Sequence, residues 1–242
     1  MLNYLRIPII ILILFFGCSL VFSQSYEYAK GFSYKEVICG QPQSNEDVPV
    51  LFALHFSGAK PEDVLPYFGK FEFPIKVVFI IGNHKLEKGY SFYPPTYYDP
   101  DFYKRLKTRY QKKVTKQLIR FIRFYIKNHG KDSKTAIVGA SQGGDLALLL
   151  ASNYPNVFDL SIPIAATIET NAIFKKPHNK KHVSIQLLHG GQDTIVPITS
   201  IRRIYKYLEE LHYQIHLNEF PNKSHEISKG MIEDVAKWLK AM

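Results

Sequence analysis

Short, continuously apolar runs alternate with longer amphipathic segments over most of this chain. An apolar run of roughly four to eight residues between turn residues is typical of a strand that is buried on both faces. We therefore predict strands at residues 50–56, 76–81, 135–138, 158–166, 183–188 and 213–218, and helices at residues 101–128, 145–153, 200–211 and 227–240. This alternation predicts an α/β fold with a mostly parallel central sheet and helices on both faces. Ligands of such folds bind at the carboxyl ends of the strands.

The first 23 residues have a different character from the rest of the chain. A short basic start ends at Arg6, the apolar run 7–16 follows, and residues 21–23 fit the small-x-small rule for signal-peptide cleavage. This pattern predicts a secretory signal peptide that is removed before Gln24, with export to the periplasm or the cell exterior. Two alternatives stay open, namely an uncleaved membrane anchor and a lipoprotein attached through Cys18. The apolar stretch is short for a membrane span, so we expect no stable span in the mature form.

Composition limits what the remaining chain, residues 24–242, can be. Its length suits one domain with a sizeable apolar core. The full chain of 242 residues has a formal net charge of +10, which becomes +9 without the signal peptide because that segment carries one basic residue and no acidic one. Cys39 is then the only cysteine, so the mature chain cannot form an intrachain disulfide. Its stability must come from the core.

Residues 139–143 have the sequence G-A-S-Q-G, which matches the pattern G-x-S-x-G, and lie between a predicted strand and a predicted helix. A tight strand-to-helix turn of this kind exposes a serine hydroxyl above the end of a sheet, and the glycines leave room for a crowded backbone. The positive end of the following helix would face negative charge that develops there. Ser141 is therefore a candidate nucleophile. The alternative is a glycine-rich turn with an incidental serine.

A serine nucleophile needs a base, and the base needs an acid that orients it. In sheets of this kind the partners follow the serine in the order acid, then histidine. Asp193 lies in a glycine-rich loop after the predicted strand 183–188, and His225 lies in a loop before the last predicted helix. Either residue alone would be interpreted as a turn or cap residue. Their order and their places after strand ends predict a triad of Ser141, Asp193 and His225.

Three segments of the chain resemble one known family. "GASQGGDLAL", "HGGQDTIVP" and "SHEISKGMIEDVAKWL" resemble the serine, acid and histidine segments of the α/β-hydrolase superfamily, in particular of its phospholipase/carboxylesterase group, which includes acyl-protein thioesterases. The resemblance spans residues 48–242. It implies an α/β-hydrolase fold, with Ser141 as the nucleophile, Asp193 as the acid and His225 as the base of an enzyme that hydrolyses carboxylic esters.

The loop that should stabilise the oxyanion departs from the family pattern. The family has H-G-x-G after its third strand, whereas this chain has His55-Phe56-Ser57-Gly58. Stabilisation of an oxyanion needs backbone N–H groups aimed at the developing charge. The resemblance implies that Gln142 and Ser57 supply these N–H groups, with Phe56 as the alternative to Ser57 and no role for the Ser57 side chain. We interpret His55 as a strand-end histidine that is hydrogen-bonded to the backbone, in preference to a catalytic role.

An aromatic segment follows the predicted strand 76–81. Residues 89–103 are dense in tyrosine, phenylalanine and proline and lie between a strand end and the long predicted helix. This position predicts that they lie on the side of the sheet that carries the site. The candidates for the wall of an apolar substrate pocket are Phe92, Tyr93, Tyr97 and Tyr98. The alternative is a loop that its own rings pack onto the surface.

The predicted helix 101–128 is basic. Its lysines and arginines include Lys112, Lys113, Lys116, Arg120 and Arg123. We interpret these charges as a solvated helix face and predict no nucleic-acid partner; binding to an anionic surface is the alternative. The sequence has no metal-binding Cys/His spacing and no phosphate-binding glycine motif, so it predicts no metal and no organic cofactor.

Together these features predict an exported serine hydrolase that cleaves a small-molecule carboxylic ester. Three alternatives stay open. The first is a serine peptidase of the prolyl-peptidase type, and the second is a thioesterase, because the same residues serve both reactions. The third is a non-catalytic binding protein with a hydrolase fold, against which the complete set of triad residues argues.

Overall fold

The computed structural model describes six stretches of the chain, namely residues 21–22, 26–42, 48–99, 104–129, 133–174 and 183–242. Within these residues nine strands form one sheet and two more form a hairpin. The strands of the sheet are β1 (Val21–Phe22), β2 (Glu27–Ala29), β3 (Phe32–Cys39), β4 (Val50–Leu54), β5 (Ile75–Ile80), β8 (Thr135–Ala140), β9 (Leu160–Ile164), β10 (Ser184–Gly190) and β11 (Gln214–Phe220). The hairpin consists of β6 (His84–Leu86) and β7 (Gly89–Ser91).

The strand order across the sheet is β1-β3-β5-β4-β8-β9-β10-β11, and β2 pairs with β3. The strands β5, β4, β8, β9, β10 and β11 run parallel to one another, whereas β3 is antiparallel to β5. This topology confirms the mostly parallel sheet that the sequence predicts. Because parallel strands end at the same edge, the loops after β4, β8, β10 and β11 meet on one side of the molecule.

Helices cover both faces of the sheet. They are α1 (Pro61–Phe68), α2 (Lys104–His129), α3 (Gln142–Asn153), α4 (Ile198–Glu210) and α5 (Lys229–Lys240). One apolar core joins the sheet to α2, α3 and α4, and a second core joins the opposite face to α1 and α5. Side chains of β4 alternate between the two cores, with Phe52 in the first and Leu51 in the second. Burial on both faces explains why β4 is apolar throughout.

Each predicted strand and helix has a counterpart, and where the structure describes their ends these differ from prediction by at most three residues. The difference that matters for the site is the start of α3, which begins at Gln142 and not at Asp145. Gly143 and Gly144 are poor helix formers, so the sequence favours a longer turn there. The sequence analysis predicted none of β1, β2, β3, α1 or the β6–β7 hairpin.

Most of the predicted signal peptide lies outside the described residues, including residues 1–20 and Ser23. The two residues of β1 pair in antiparallel fashion with Ile38 and Val37 of β3. In the part of the chain that the structure describes, no helix has both the length and the apolar composition required to cross a bilayer.

Candidate active site

Ser141 lies at the turn between β8 and α3, with φ 51° and ψ −118°. This backbone conformation is strained for any residue other than glycine, and such strain concentrates at functional sites. Close packing explains the two glycines of the motif. A Cβ atom on Gly139 would lie 2.3 Å from a backbone carbon of Gly143, and one on Gly143 would lie 2.3 Å from the carbonyl oxygen of Leu54. The turn thus holds Ser141 at the carboxyl end of β8, against the end of β4.

Two further side chains reach Ser141 from neighbouring strand ends. The Nε2 atom of His225 lies 3.0 Å from the Oγ atom of Ser141, and its Nδ1 atom lies 2.8 Å from the Oδ2 atom of Asp193. Asp193 comes from the loop after β10 and His225 from the loop after β11. The structure therefore brings together the three residues that the sequence predicts as a triad.

The carboxylate of Asp193 is completely buried, and its two oxygens have different partners. Oδ1 accepts the N–H groups of Ile195 at 2.9 Å and Val196 at 2.7 Å, which leaves Oδ2 facing His225. Because a carboxylate only accepts hydrogen bonds, it favours the tautomer of His225 that carries its proton on Nδ1. The Nε2 atom is then free to accept the proton of the Ser141 hydroxyl.

Backbone hydrogen bonds hold the acid loop against the histidine loop. The N–H of Gly191 donates to the carbonyl of Phe220 at 2.8 Å, and the N–H of Gln192 donates to the carbonyl of Lys223 at 2.9 Å. These contacts lie just before Asp193 in one loop and just before His225 in the other. The main chain therefore fixes the separation of the two residues, and side-chain contacts need only set their orientation.

His189, which the sequence analysis did not single out, is a second histidine beside the acid. It is fully buried, and its Nε2 atom lies 2.8 Å from the carbonyl oxygen of Val196 and 3.4 Å from Oδ2 of Asp193. Burial lowers the pKa of His189, so its ring is neutral at pH 7 and donates from Nε2 to the Val196 carbonyl. Since the N–H of Val196 binds Asp193, His189 supports the loop that holds the acid. Its position as the first residue of the segment H-G-G-Q-D is the sequence signal that could have identified it.

The loop after β4 forms a tight turn over residues 56–59. The N–H of Ala59 donates to the carbonyl of Phe56 at 3.2 Å, and Gly58 has φ 76°, which a glycine adopts without strain. The N–H of Gly58 donates to the carbonyl of Tyr90 at 2.9 Å. Two N–H groups of the turn are thus already used, which leaves those of Ser57 and Phe56, the two residues that the sequence analysis gave as alternatives for binding an oxyanion.

His55 fixes the orientation of this turn. It is 1 % exposed, and the N–H of Gly82 donates to its Nε2 atom at 2.9 Å. The proton of the ring is therefore on Nδ1, which donates to the carbonyl of Phe56 at 2.7 Å. Because the C=O and N–H of a trans peptide point in opposite directions, the N–H of Ser57 points away from these contacts. Burial lowers the pKa of His55 to about 4, so it is neutral at pH 7, in agreement with the structural role predicted from sequence.

Gln142 is the first residue of α3 and directly follows Ser141. The N–H groups of a first helical turn have no acceptor within the helix and carry the positive end of the helix dipole. The backbone of Gln142 therefore presents a donor beside the Ser141 hydroxyl. Gln142 and Ser57, the two residues predicted to stabilise an oxyanion, lie at the ends of the adjacent parallel strands β8 and β4.

A sequence model of the phospholipase/carboxylesterase family matches residues 89–242, more than half of the chain. The matched region includes Ser141, Asp193 and His225. The chain belongs to the phospholipase/carboxylesterase family. A search of curated protein sequences finds no match.

Solved structures of carboxylesterases and thioesterases share the fold of this family member. The carboxylesterase from Mesorhizobium loti superposes with a TM-score of 0.72 at 16 % identity, over 90 % of this chain and 99 % of that one. The Bacillus cereus carboxylesterase superposes with a TM-score of 0.66 at 19 % identity, over 86 % and 94 % of the two chains. The acyl-protein thioesterase 2 of Zea mays superposes with a TM-score of 0.66 at 16 % identity, over 86 % of this chain and 97 % of that one. These likenesses and the family match confirm the α/β-hydrolase fold.

In this member of the phospholipase/carboxylesterase family a cavity of about 460 Å³ opens at Ser141. Its apolar wall consists of Phe56, Tyr67, Ala140, Ala165 and Ile227, and its polar lining is Ser57, Ser141, His225 and Glu226. A larger groove of about 970 Å³ lies between α4 and β11, but no triad residue lines it. Of these two, the cavity at Ser141 is the one that lies against Ser141 and His225. Across the described residues, no group of three or more histidine, cysteine, aspartate or glutamate side chains could hold a metal ion.

The aromatic residues predicted to form the pocket wall do not line this cavity. Phe92 and Tyr93 are buried, Phe92 stacks on His55 with 4.7 Å between ring centroids, and Tyr93 stacks on Tyr97 at 4.1 Å. Tyr98 lies on the surface beside Ser57. The correction has a physical cause, because the β6–β7 hairpin turns the segment so that these rings pack beneath and beside the site. The cavity wall comes instead from Tyr67 of α1 and from the residues given above.

Proposed function

We propose that this chain is an exported serine hydrolase that cleaves small-molecule carboxylic esters through Ser141, His225, Asp193 and an acyl-enzyme intermediate. The observation that carries the proposal is the pair of contacts at 3.0 Å and 2.8 Å that joins Ser141 to His225 and His225 to Asp193. The strained turn at Ser141 and its cavity support it. Membership of a family of phospholipases and carboxylesterases supports the reaction class.

In the first half of the proposed reaction, His225 Nε2 takes the proton of Ser141 as Oγ attacks the acyl carbon of the ester. The carbonyl oxygen becomes negative and accepts hydrogen bonds from the N–H groups of Ser57 and Gln142. Asp193 stabilises the imidazolium ion that forms. When the intermediate collapses, the bond to the alcohol oxygen breaks and His225 returns the proton to that oxygen. The products are a free alcohol and an acyl group on Ser141.

In the second half, water takes the place of the alcohol. His225 accepts a proton from the water molecule, whose oxygen attacks the acyl carbon, and the same two N–H groups receive the negative charge. The bond to Ser141 Oγ then breaks, and His225 returns the proton to the serine. Each step uses protein groups and water, so the proposed reaction needs no cofactor.

The cavity favours an ester with an apolar acyl or alcohol group. Phe56, Tyr67 and Ile227 provide apolar contact next to Ser141, while the mouth carries Glu226. A thioester is the second candidate substrate, because the fold is shared with an acyl-protein thioesterase and the same serine and histidine can form and hydrolyse the acyl group. Peptide hydrolysis and simple binding without catalysis are the remaining alternatives.

Export is the part of the proposal that rests on sequence alone. The basic start, the apolar run 7–16 and the small residues at 21 and 23 support a cleaved signal peptide. We expect the mature protein, isolated from a secreting host, to begin at Gln24. Mass spectrometry of its N-terminal peptide tests this, since a lipid-modified Cys18 would mean a lipoprotein and an intact Met1 in the membrane fraction would mean an anchor.

A fluorophosphonate probe tests the proposed nucleophile. We expect the active protein to lose ester hydrolysis in step with the addition of one phosphonyl group, and tryptic mass spectrometry to find that group on Ser141. Heat-denatured protein is the control, and it should not react because the reaction depends on His225 and the oxyanion donors. A phosphonyl group on another residue, or no labelling of active protein, contradicts the proposal.

The same preparation distinguishes the alternative substrates. Turnover of p-nitrophenyl butyrate is compared with that of a butyryl thioester and of a peptide p-nitroanilide. We expect the ester to give the highest kcat/KM. Highest turnover of the thioester would indicate a thioesterase, and turnover of the anilide alone would indicate a peptidase. Labelling of Ser141 without turnover of any of the three would favour the binding-protein alternative.

A further inference from the structure

The side chain of Gln142 connects the nucleophile turn to the aromatic segment. It is 5 % exposed, and its Oε1 atom accepts the N–H of Phe92 at 2.7 Å. Its Nε2 atom donates to Oγ of Ser91 at 3.1 Å and to the hydroxyl of Tyr98. The backbone of Gln142 lies beside Ser141, so this side chain anchors a proposed oxyanion donor to the segment after β7.

Tyr98 makes the matching contact on the other side. Its hydroxyl accepts a hydrogen bond from Oγ of Ser57 at 2.8 Å, and it lies 3.2 Å from Oγ of Ser91. One hydroxyl therefore contacts the side chains of both residues whose N–H groups are proposed to bind the oxyanion. Tyr98 ends a short 3₁₀ turn over Pro95–Tyr98, and the fixed φ of proline stiffens that turn.

The Tyr98 hydroxyl has room for both hydrogen bonds that link it to the proposed oxyanion donors. A tyrosine oxygen accepts two hydrogen bonds, so Tyr98 can accept from Ser57 and Gln142. Ser91 donates its own proton to the carbonyl of Tyr93 at 2.6 Å and accepts the N–H of Tyr93 at 3.0 Å, which leaves its oxygen one place for a proton from Gln142 or Tyr98. Partial burial raises the pKa of Tyr98, which keeps its hydroxyl protonated at neutral pH. Ser57 and Gln142 therefore both act as donors to the same Tyr98 oxygen.

We propose that Tyr98 is a positioning residue that sets the distance between the two oxyanion donors. Its hydroxyl links the turn at residues 56–59 to the first residue of α3 and so holds the N–H groups of Ser57 and Gln142 at one separation. This proposal rests on the proposed function. An oxyanion is stabilised well only when both donors are already about 3 Å from the position that its oxygen will occupy. The positioning role also gives a function to the Ser57 side chain, which the sequence analysis predicted to have none.

The ring of Tyr98 makes a purely structural role a poor explanation. Tyr98 is 42 % exposed, and among the described residues its ring contact is an edge-on one with Tyr97, with 5.4 Å between centroids. A half-exposed ring contributes little to a core. Loss of the hydroxyl alone should therefore leave the folded state almost as stable, while it frees the two donors to move relative to each other.

Tyr98→Phe tests the proposal, because it removes the hydroxyl and keeps the ring. We expect kcat for p-nitrophenyl butyrate to fall about tenfold, less than the roughly 10²–10³ for a lost donor. We expect KM to change less than twofold. Affinity for an alkylboronic acid, which forms a tetrahedral adduct on serine, should fall by the same factor as kcat. Tyr97→Phe is the matched control, because the Tyr97 hydroxyl binds Gln111 in α2, and it should keep the wild-type kcat.

A double-mutant cycle with Ser57→Ala makes the test sharper. Ser57→Ala removes Oγ and keeps the N–H, so it breaks the same link from the other side. If Tyr98 acts through that link, the double variant should be no slower than Tyr98→Phe by more than about twofold. Multiplied losses in the double variant would overturn the proposal, as would a Tyr98→Phe enzyme with wild-type kcat and boronate affinity. Circular dichroism and the Tm verify the fold, and Ser57→Ala alone still tests the link if Tyr98→Phe is unstable.

The outcomes separate this proposal from the proposed function. If the fluorophosphonate probe labels Ser141 and Tyr98→Phe is unchanged, only the positioning role fails. If Ser141 is not labelled in active protein, the proposed function fails, and the positioning role fails with it. If the Tyr98→Phe enzyme shows only a higher KM, with kcat and boronate affinity unchanged, Tyr98 contacts the substrate. That result also overturns the positioning role.

Discussion

Replacing Ser141 with alanine is expected to lower kcat for ester hydrolysis by about 10⁶-fold, the usual loss when a triad nucleophile is removed. The change deletes one oxygen atom. The turn that holds it depends on other contacts, namely the close packing of Gly139 and Gly143 and the hydrogen bond from the N–H of residue 141 to the carbonyl of Ile164 at 2.9 Å. The fold should therefore survive the change, which circular dichroism and the Tm can verify. Steady-state assays at high enzyme concentration measure the residual kcat.

The kcat of a double variant supplies the second half of this test. Because Ser141 and His225 would act as one unit, the double variant Ser141→Ala, His225→Ala should be within a fewfold of either single variant. Ser133→Ala is a suitable control, since Ser133 precedes β8 at the opposite edge of the sheet and should keep the wild-type kcat. A Ser141→Ala enzyme within tenfold of the wild-type kcat, or losses that multiply in the double variant, would refute the assignment of Ser141.

The strands that the sequence predicts best are those covered on both faces. In β4 and β8 every residue is buried, so the apolar pattern is continuous and easily recognised. In β3 buried and half-buried residues alternate, and the sequence Phe-Ser-Tyr-Lys-Glu-Val-Ile-Cys gives a weaker pattern. Helix α1 has only eight residues and contains Pro66, so too little helical periodicity is present to recognise it.

The closeness of Ser141, Asp193 and His225 could be predicted because it follows from topology. Parallel strands end at one edge of the sheet, so residues that directly follow β8, β10 and β11 are brought near one another whatever the details of the loops. No such rule predicts the contacts that hold these residues in place. That His189 contacts the carbonyl of Val196, and that His55 holds the carbonyl of Phe56, depends on how each loop folds back on itself. Sequence order does not encode those directions.

The aromatic segment shows the same limit more plainly. Its density of rings correctly suggests a place close to the site, but composition does not say which way each ring points. The β6–β7 hairpin directs Tyr93 into the core and leaves the hydroxyl of Tyr98 against Ser57 and Gln142. A segment predicted to contact substrate thus contacts the residues proposed to stabilise the oxyanion.

Asp193→Asn is expected to lower kcat by about 10⁴-fold through a change of tautomer at His225. Two backbone N–H groups bind the Oδ1 position, so the amide oxygen of asparagine should occupy it. The amide NH₂ then faces His225 Nδ1 at the place where Oδ2 now lies. Since two donors cannot share a hydrogen bond, His225 should move its proton to Nε2 and present a donor to Ser141. A histidine in that tautomer cannot accept the serine proton.

Further measurements separate a loss of the base from a loss of substrate binding or of the fold, which the kcat of Asp193→Asn alone does not separate. Fluorophosphonate labelling of Ser141 should slow with kcat, because both reactions need the same base, whereas KM and the Tm should change little. Asp159→Asn is the matched control, since Asp159 accepts the N–H of Thr135 at 2.8 Å at the amino end of β8 and should keep the wild-type kcat. Near-normal turnover of Asp193→Asn would mean that another group orients His225. His189 cannot do so through its Nε2 atom, which donates to the Val196 carbonyl, so a different acceptor would then have to hold the proton on Nδ1.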